Sequence, residues 1–294
     1  FDGLVVHHDG GNGVHTRFMA TQVVRRLPRD FANLLDNEIE SDESSDAQQF
    51  YGFHTSFPNL FDAFTTEAFY YSIKEKDTSK VRTRNKNFDS MGFRLRKPPR
   101  AGEFEFEIET IFQTGERRGS AAATDTTNLD HRAYFQYLML GYTFDVPSNL
   151  RLQIEIDYAS GDNDPFDQDT ERFDSLFGPT TFEFAVVGLY DPFNRSNILT
   201  PGIRLFADFS PDVSLMASYR HWWLADARDS WGRTGLRDRS GQSGRYLGQH
   251  LQLRLRWDVI PGNFRIETGG VYLDSKNLSN KEPKYFYTSA TFTF

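Results

Sequence analysis

LRLQIEID, residues 150–157, alternates apolar and polar side chains without interruption. Its even positions hold leucine or isoleucine, and its odd positions hold arginine, glutamine, glutamate or aspartate. Successive side chains of a β-strand point to opposite faces, so this alternation predicts a strand with one apolar and one polar face.

The same period of two returns along most of the chain, for example in EFEFEIETIF (103–112) and LGQHLQLRLRW (247–257). Helical spacing is nearly absent, and its best example is the short stretch FANLLDNEI (31–39). The alternation predicts about thirteen strands. They cover residues 1–8, 16–27, 47–57, 61–73, 87–97, 103–114, 131–144, 149–159, 197–209, 212–225, 245–258, 262–273 and 284–294.

The lengths of these segments and of their connectors indicate a membrane fold. Many segments approach the roughly 9–11 residues that a tilted strand needs to cross a bilayer. Tight turns such as KPPRAGE and DVPSN alternate with long polar stretches such as 115–130 and 160–195, which is typical of outer-membrane barrels. We therefore predict an all-β fold, a transmembrane antiparallel β-barrel of porin size, with residues 1–294 as a single domain. A soluble sandwich or propeller is the alternative, although its strands are usually shorter.

The number of predicted strands raises a question about the start of the chain. Single-chain bacterial barrels have an even number of strands, and an unpaired strand edge is not tolerated in lipid. The count here is odd, and the chain begins abruptly at Phe1 inside an alternating segment. We therefore expect that this chain is an N-terminally truncated part of a larger barrel.

Composition is consistent with that fold and excludes several others. Mean hydropathy is only -0.58, yet the chain contains 28 Phe, 13 Tyr and 4 Trp. A transmembrane barrel explains both, because only every second strand residue must be apolar and aromatic residues gather at the membrane interface. The absence of cysteine excludes a disulfide scaffold and thiolate metal sites. A net charge of -8 argues against a nucleic-acid partner.

The polar faces of the predicted strands are rich in arginine. An excess of arginine at a constriction would attract an anionic solute, and its planar guanidinium suits a carboxylate. The alternative is that these arginines only pair with acidic residues of neighbouring strands, such as Glu103, Glu105 and Glu107, and so satisfy a polar wall. Residues 250–256, which carry no acid on that face, are the best local candidate. The predicted substrate-binding residues are Arg94, Arg96, Arg151, Arg204, Arg220, His250, Arg254, Arg256 and Arg265.

An acidic loop follows the strand of residues 149–159. Its alternate carboxylates, Asp162, Asp164, Asp167 and Asp169, could bind calcium, since hard cations take oxygen ligands. The loop does not match an EF-hand, and the alternative is a solvated loop whose carboxylates cap turns. Beyond this candidate structural calcium, we expect no cofactor.

No arrangement of residues indicates catalysis. The chain contains no G-x-S-x-G elbow, no Walker loop and no H-E-x-x-H motif. We therefore predict that the protein is not an enzyme. A barrel that only anchors active loops, in residues 160–195 or 226–244, as an outer-membrane enzyme or adhesin, remains the alternative from another class.

Two stretches resemble a known family. YASGDNDPFDQDTERFDSLFGP (158–179) resembles the hallmark of the alginate export family of outer-membrane proteins, in which YASGD leads into a DPxD loop followed by FDxLFP. Here Gly178 stands before Pro179, where the family often has LFP directly. ASYRHWWLADARDSWG (217–232) is similar to the family's strand with a histidine or aromatic pair followed by LA and an acidic loop. The resemblance extends roughly from residue 90 to the C-terminus.

The resemblance implies a location, a function and partners. Family members are barrels of roughly eighteen strands, with an electropositive constriction that passes the polyuronate alginate. We accordingly expect an outer-membrane channel for passive diffusion or export of an anionic polysaccharide, such as alginate or its oligomers. A general anion or oligosaccharide porin is the runner-up. The expected partners are outer-membrane lipids, the polysaccharide and, for a true exporter, periplasmic export proteins.

Overall fold

The computed structural model describes residues 1–25, 27–28, 31–58, 60, 64–178, 184, 194–232, 234–279 and 281–294. Strands account for most of the described residues. They are β1 (Asp2–Asp9), β2 (His15–Arg25), β3 (Glu43–Phe57), β4 (Thr65–Glu75), β5 (Asn87–Lys97), β6 (Phe104–Arg117), β7 (Leu129–Thr143), β8 (Arg151–Ala159), β9 (Asp169–Thr170), β10 (Ile198–Ser210), β11 (Val213–Trp223), β12 (Tyr246–Ile260), β13 (Phe264–Ser275) and β14 (Lys284–Phe292). One 3-10 turn (Gly11–Gly13) and one short helix, α1 (Phe31–Leu35), complete the described elements. No helix among them is long and apolar enough to span a membrane.

Each of the thirteen predicted segments overlaps one long strand, so the all-β prediction is confirmed. The fourth segment is shifted, since β4 begins at Thr65 and residues 61–63 lie outside the described part of the chain. One further strand, β9, corresponds to no predicted segment; it has only two residues and pairs with β7. The helical spacing at 31–39 corresponds to α1, which ends at Leu35.

The strands are hydrogen-bonded in sequence order, with β8 next to β10 and β9 off this path. Registers are antiparallel from β1 through β4 and from β7 through β14, as hairpin connections require. Strands β1 and β14 are the two ends of this order.

Contacts divide the chain into two compact units. The first comprises residues 1–93 and 111–132, and the second comprises residues 94–110 and 133–294. The first unit contains β1 to β4, and the second contains β8 to β14. The single domain predicted from sequence stays a prediction.

In the second unit the usual burial of a globular protein is inverted. Along β8, Glu155 and Asp157 are each 1% exposed, whereas Ile156 between them is 39% exposed and the preceding Ile154 is 56% exposed. Soluble proteins almost never bury carboxylates while exposing a row of branched apolar residues. We call the buried polar side of the sheet the inner face and the apolar side the outer face. The exposed outer residues include Leu138, Leu140, Leu152, Ile154, Ile156, Ile203, Leu251, Leu253, Leu255 and Trp257.

The first unit shows the same inversion by itself. Glu67 and Glu75 of β4 are buried on one face, while Phe18 of β2 and Phe53 of β3 are exposed on the other. An apolar outer surface of this extent is suited to lipid rather than water, because the strands satisfy their backbone groups within the sheet. The low mean hydropathy is therefore the average of a polar inner face and an apolar outer face.

Candidate functional site

Strand register aligns residues of the four strands β8, β10, β11 and β12 in one row on the inner face of the second unit. Glu155 of β8 lies opposite Gly202 of β10, Gly202 lies opposite Arg220 of β11, and Arg220 lies opposite His250 of β12. Residues opposite each other in antiparallel strands share a face, so Glu155, Arg220 and His250 form a row across the sheet.

A cavity of about 190 Å³ lies on this face. Its lining includes four of the predicted arginines together with three carboxylates. The lining residues are Arg94, Glu107, Tyr137, Met139, Arg151, Gln153, Glu155, Asp157, Arg204 and Arg220. The cavity is therefore strongly polar but contains both signs of charge.

Arg220 is the most buried cation of this cavity, and two carboxylates neutralise it. Its guanidinium contacts Glu155 and lies 3.1 Å from Asp157 Oδ2. Arg204 also reaches Glu155 Oε1, at 3.1 Å, and the Tyr137 hydroxyl donates to Glu155 Oε2 at 3.1 Å. Buried charges need such partners, since an unpaired charge out of water is very costly. Arg220 is thus held as part of the wall.

The other two arginines of the cavity are paired in the same way. Arg94 Nε donates to Glu107 Oε1 at 2.8 Å. Arg151 Nε lies 3.5 Å from Glu105 Oε1, and its guanidinium lies 4.1 Å above the Phe206 ring. Arginine charge in the cavity is therefore largely compensated.

Glycines on intervening strands allow these pairs to form. A Cβ at Gly202 would lie 2.5 Å from Arg220 Cγ, so only glycine lets the Arg220 side chain cross β10 to reach Glu155 on β8. A Cβ at Gly141 of β7 would lie 2.4 Å from Glu105 Oε1, which accepts a 2.9 Å hydrogen bond from Gln153 of β8. Glycine inside a strand marks the close approach of another group. Gly141 and Gly202 were therefore the sequence signal for these pairs, and the sequence analysis did not use it.

Two further predicted arginines are paired outside the cavity. Arg256 donates to Glu267 Oε2 through Nε at 3.1 Å and through Nη2 at 2.8 Å. Arg265 pairs with Asp258, with Nη2 donating at 3.1 Å to Oδ2. Both are cross-strand pairs of the kind that the sequence predicts for a polar wall.

Arg254 and Arg96 differ from the other arginines. Neither makes a hydrogen bond or an ion pair with any residue that the structure describes. Arg96 is exposed at the end of β5, whereas Arg254 is half-buried on the inner face of β12. Beside Arg254, Gln252 is buried, and its amide nitrogen has no hydrogen-bond partner in the described part of the chain. His250 is buried further along β12, edge-on to Trp222 at 6.1 Å between ring centroids.

The acidic loop is organised differently from the predicted calcium site. Asp162 Oδ2 faces Arg237 at 3.4 Å, and Asp164 accepts from the backbone N–H of Phe166. Only Asp167 and Asp169 of the four predicted ligands lie together, and they are joined by Glu171, with ligand oxygens within 4.8 Å of one another. Asp167 and Asp169 are exposed. Calcium binding by the four predicted aspartates stays a prediction.

Burial raises the pKa of Asp162 to about 6, and the nearby Asp229 carboxylate adds to this effect while Arg237 opposes it. Asp162 is therefore a loop carboxyl that changes charge in mildly acidic solution.

The YASGD stretch has a structural role that its spacing did not reveal. The backbone N–H and C=O of Ser160 pair with Tyr134 O and with the N–H groups of Phe173 and Asn197. A Cβ at Gly161 would lie 2.0 Å from Asn197 Oδ1, so the close approach of Asn197 requires glycine there. The motif therefore joins the end of β8 to two parts of the following loop. Pro179, at the end of the motif, lies outside the described residues.

The family model described as "Alginate export" matches residues 33–275. No curated protein sequence matches the chain.

Solved outer-membrane proteins share the fold at low sequence identity. OccK11 (OpdR) of Pseudomonas aeruginosa is 14% identical with a TM-score of 0.55, and the match covers 100% of this chain and 71% of that one. OccK5 (OpdH) of the same organism is 13% identical with a TM-score of 0.53, covering 99% and 71%. The outer membrane protein OprD of Pseudomonas aeruginosa is 11% identical with a TM-score of 0.51, covering 97% and 67%. At these identities the likeness shows the fold.

Proposed function

The chain belongs to the alginate export family, and from this premise we propose that it passes an anionic polysaccharide, such as alginate or its oligomers, through an arginine-bearing lumen. Family and fold are those of an outer-membrane β-barrel channel rather than an enzyme. The apolar outer face then contacts outer-membrane lipid, and the polar inner face lines the path of the solute.

The observation that supports an anionic solute is the environment of Arg254. Its guanidinium is half-buried on the inner face and lacks a carboxylate partner among the described residues. A cation that is partly removed from water and makes no ion pair with the described residues, with the Glu267 carboxylate acting on it only at longer range, attracts mobile anions, and its planar fork suits a carboxylate.

The experiment is to reconstitute the full chain in planar bilayers and to measure the reversal potential across a potassium chloride gradient. We expect anion selectivity, and we expect uronate oligomers to block the current at lower concentration than neutral oligosaccharides of equal length. Cation selectivity would contradict the proposal.

A general anion or oligosaccharide porin is the second candidate, and the paired charges of the cavity favour it. Four arginines and three carboxylates line that cavity, so much of its surface offers no net attraction to a polyanion. Equal block by neutral and acidic oligomers, with the anion selectivity kept, would favour this candidate. The leading proposal does not require periplasmic export proteins for passage of the solute. Purified protein alone should therefore pass the oligomers.

A further inference from the structure

Two tyrosines of β14 lie on the inner face of the second unit. Tyr287 lies opposite Gly269 of β13, and Gly269 lies opposite Arg254 of β12, so the three positions form one row across the sheet. Tyr285 comes two residues before Tyr287 on the same strand and therefore shares its face. Both tyrosines are half-buried, whereas Phe286 between them is 74% exposed on the outer face. The register thus places aromatic side chains on the face that carries Arg254.

The ring of Tyr287 extends from β14 toward Arg254. A Cβ at Gly269 would lie 2.6 Å from Tyr287 Cε1 and 2.7 Å from Tyr287 Oη, so the ring lies over the glycine, which leaves room for it. Adjacent strands are about 4.8 Å apart, so the backbones of Arg254 and Tyr287 are about 10 Å apart. The ring reaches into this gap, and the two side chains are close enough to interact electrostatically. Arg254 and the Tyr287 ring are therefore neighbours on the inner face.

Glu267 of β13 fixes the Tyr287 hydroxyl. Tyr287 Oη donates to Glu267 Oε1 at 3.0 Å. The other carboxylate oxygen, Oε2, accepts from Arg256 Nε at 3.1 Å and from Arg256 Nη2 at 2.8 Å. Both oxygens of Glu267 are thus engaged by residues other than Arg254, which makes no ion pair with any residue that the structure describes. The ring is held in position while the neighbouring cation keeps its attraction for an anion.

Tyr285 enlarges the aromatic surface beside Arg254. The ring centroids of Tyr285 and Tyr287 lie 6.1 Å apart, and the two ring planes differ by only 16°. The face of an aromatic ring carries partial negative charge and is apolar, so it suits the C–H groups that cover one side of a sugar ring. A small inorganic anion gains nothing from such a surface.

We propose that Tyr285, Tyr287 and Arg254 form a subsite for a sugar acid, with the sugar ring against the tyrosines and the carboxylate on the Arg254 guanidinium. A guanidinium alone attracts any anion, so the tyrosines give the preference for a sugar acid over a small anion. The subsite rests on the proposed function, because it supplies contacts for the same solute.

Block of the single-channel current through the reconstituted full chain tests the subsite. The probes are trimannuronate and the neutral mannotriose of the same linkage. Tyr287→Leu and Tyr287→Phe both remove the hydroxyl bond to Glu267, but only the phenylalanine keeps an aromatic ring. The half-blocking concentration of trimannuronate should be about fivefold higher for Tyr287→Leu than for Tyr287→Phe, as expected for loss of one aromatic contact.

A second variant disturbs the wall less. Tyr285 lies opposite Val271 rather than a glycine, and Tyr285→Leu should raise the half-blocking concentration of trimannuronate by about threefold. Tyr219→Leu is the matched control, since Tyr219 is 40% exposed on the outer face, opposite Ile203 and Leu251. Its block by trimannuronate should equal that of the unmodified protein.

The two probes separate the ring from the charge. Tyr287→Leu should weaken block by both trisaccharides, whereas Arg254→Gln should weaken block by trimannuronate and leave block by mannotriose unchanged. Equal block of Tyr287→Leu and Tyr287→Phe by trimannuronate would overturn the subsite and leave the proposed function standing. Cation selectivity of the unmodified protein would instead count against the proposed function.

Discussion

Arg220 and Arg254 lie on the inner faces of neighbouring strands, yet their surroundings are opposite. Arg220 is 1% exposed and shares Glu155 and Asp157 with the wall, whereas Arg254 is half-buried and has no carboxylate partner among the described residues. The difference shows that the number of arginines on a lumen wall does not measure the charge that a passing solute meets. A paired arginine contributes to the stability of the wall, and an unpaired arginine contributes to the electrostatic attraction of anions.

The largest expected effect concerns stability at Arg220. Arg220→Met leaves Glu155 and Asp157 buried with too little positive charge, and we expect the free energy of unfolding to fall by about 3–5 kcal/mol. The same substitution at Arg254 should change it by less than about 0.5 kcal/mol, since no buried partner is left behind. Denaturant titration of both variants in lipid vesicles measures the two values. Equal losses of stability in the two variants would contradict the difference between Arg220 and Arg254.

A smaller effect is expected at the glycine that Arg220 crosses. Gly202→Ala places a methyl group against Arg220 Cγ, so the Arg220 side chain must move away from Glu155. We expect a loss of about 1–3 kcal/mol in the free energy of unfolding, as for other overpacked sites. Gly11→Ala is the control, because a Cβ there meets no atom within 4 Å. A Gly202→Ala protein as stable as the control would mean that Arg220 does not need this crossing.

The charge of Asp162 is only partly compensated, so its environment is intermediate between those of Arg220 and Arg254. Its pKa in the folded protein is raised to about 6 from 3.8. The folded state then binds more protons than the unfolded state between these values, so stability should fall as the pH rises from 4 to 6. We expect a loss of about 1 kcal/mol over this range, reduced by solvent screening. Unfolding titrations at pH 4 and pH 7 should show this difference in stability. The Asp162→Asn variant should lack the contribution of Asp162 to the difference. A pH dependence unchanged in Asp162→Asn would contradict the assignment.

Local pattern was enough to predict the strands and the hairpin charge pairs. Alternation with period two is a property of consecutive residues, so all thirteen long strands follow from it. Two ion pairs could be predicted for the same reason, because the members of each pair lie on adjacent strands joined by a short turn. These pairs are Arg94 with Glu107 and Arg256 with Glu267. The family resemblance, carried by residues 158–179 and 217–232, agrees with the family match.

Contacts across more than one strand could not be predicted in this way. The Arg220–Glu155 pair spans β10, so it depends on two registers and on the glycine at position 202. The burial of Phe173 depends on its contact with Phe135 of β7, and its polar sequence neighbours indicate only a loop. The two-residue strand β9 is likewise set by its pairing with β7 rather than by any periodicity.

The most direct test of the central claim is the reversal potential of channels altered at Arg254. Arg254→Gln should lower the anion-to-cation permeability ratio by about twofold or more, because it removes a charge that makes no ion pair with the described residues, while Arg254→Lys should keep the ratio. The matched control is Arg256→Gln combined with Glu267→Gln, which removes a neighbouring ion pair without changing the net charge and should leave the ratio unchanged. An unchanged ratio in Arg254→Gln, or an equal fall in the paired control, would contradict the claim that the unpaired arginine attracts the anion.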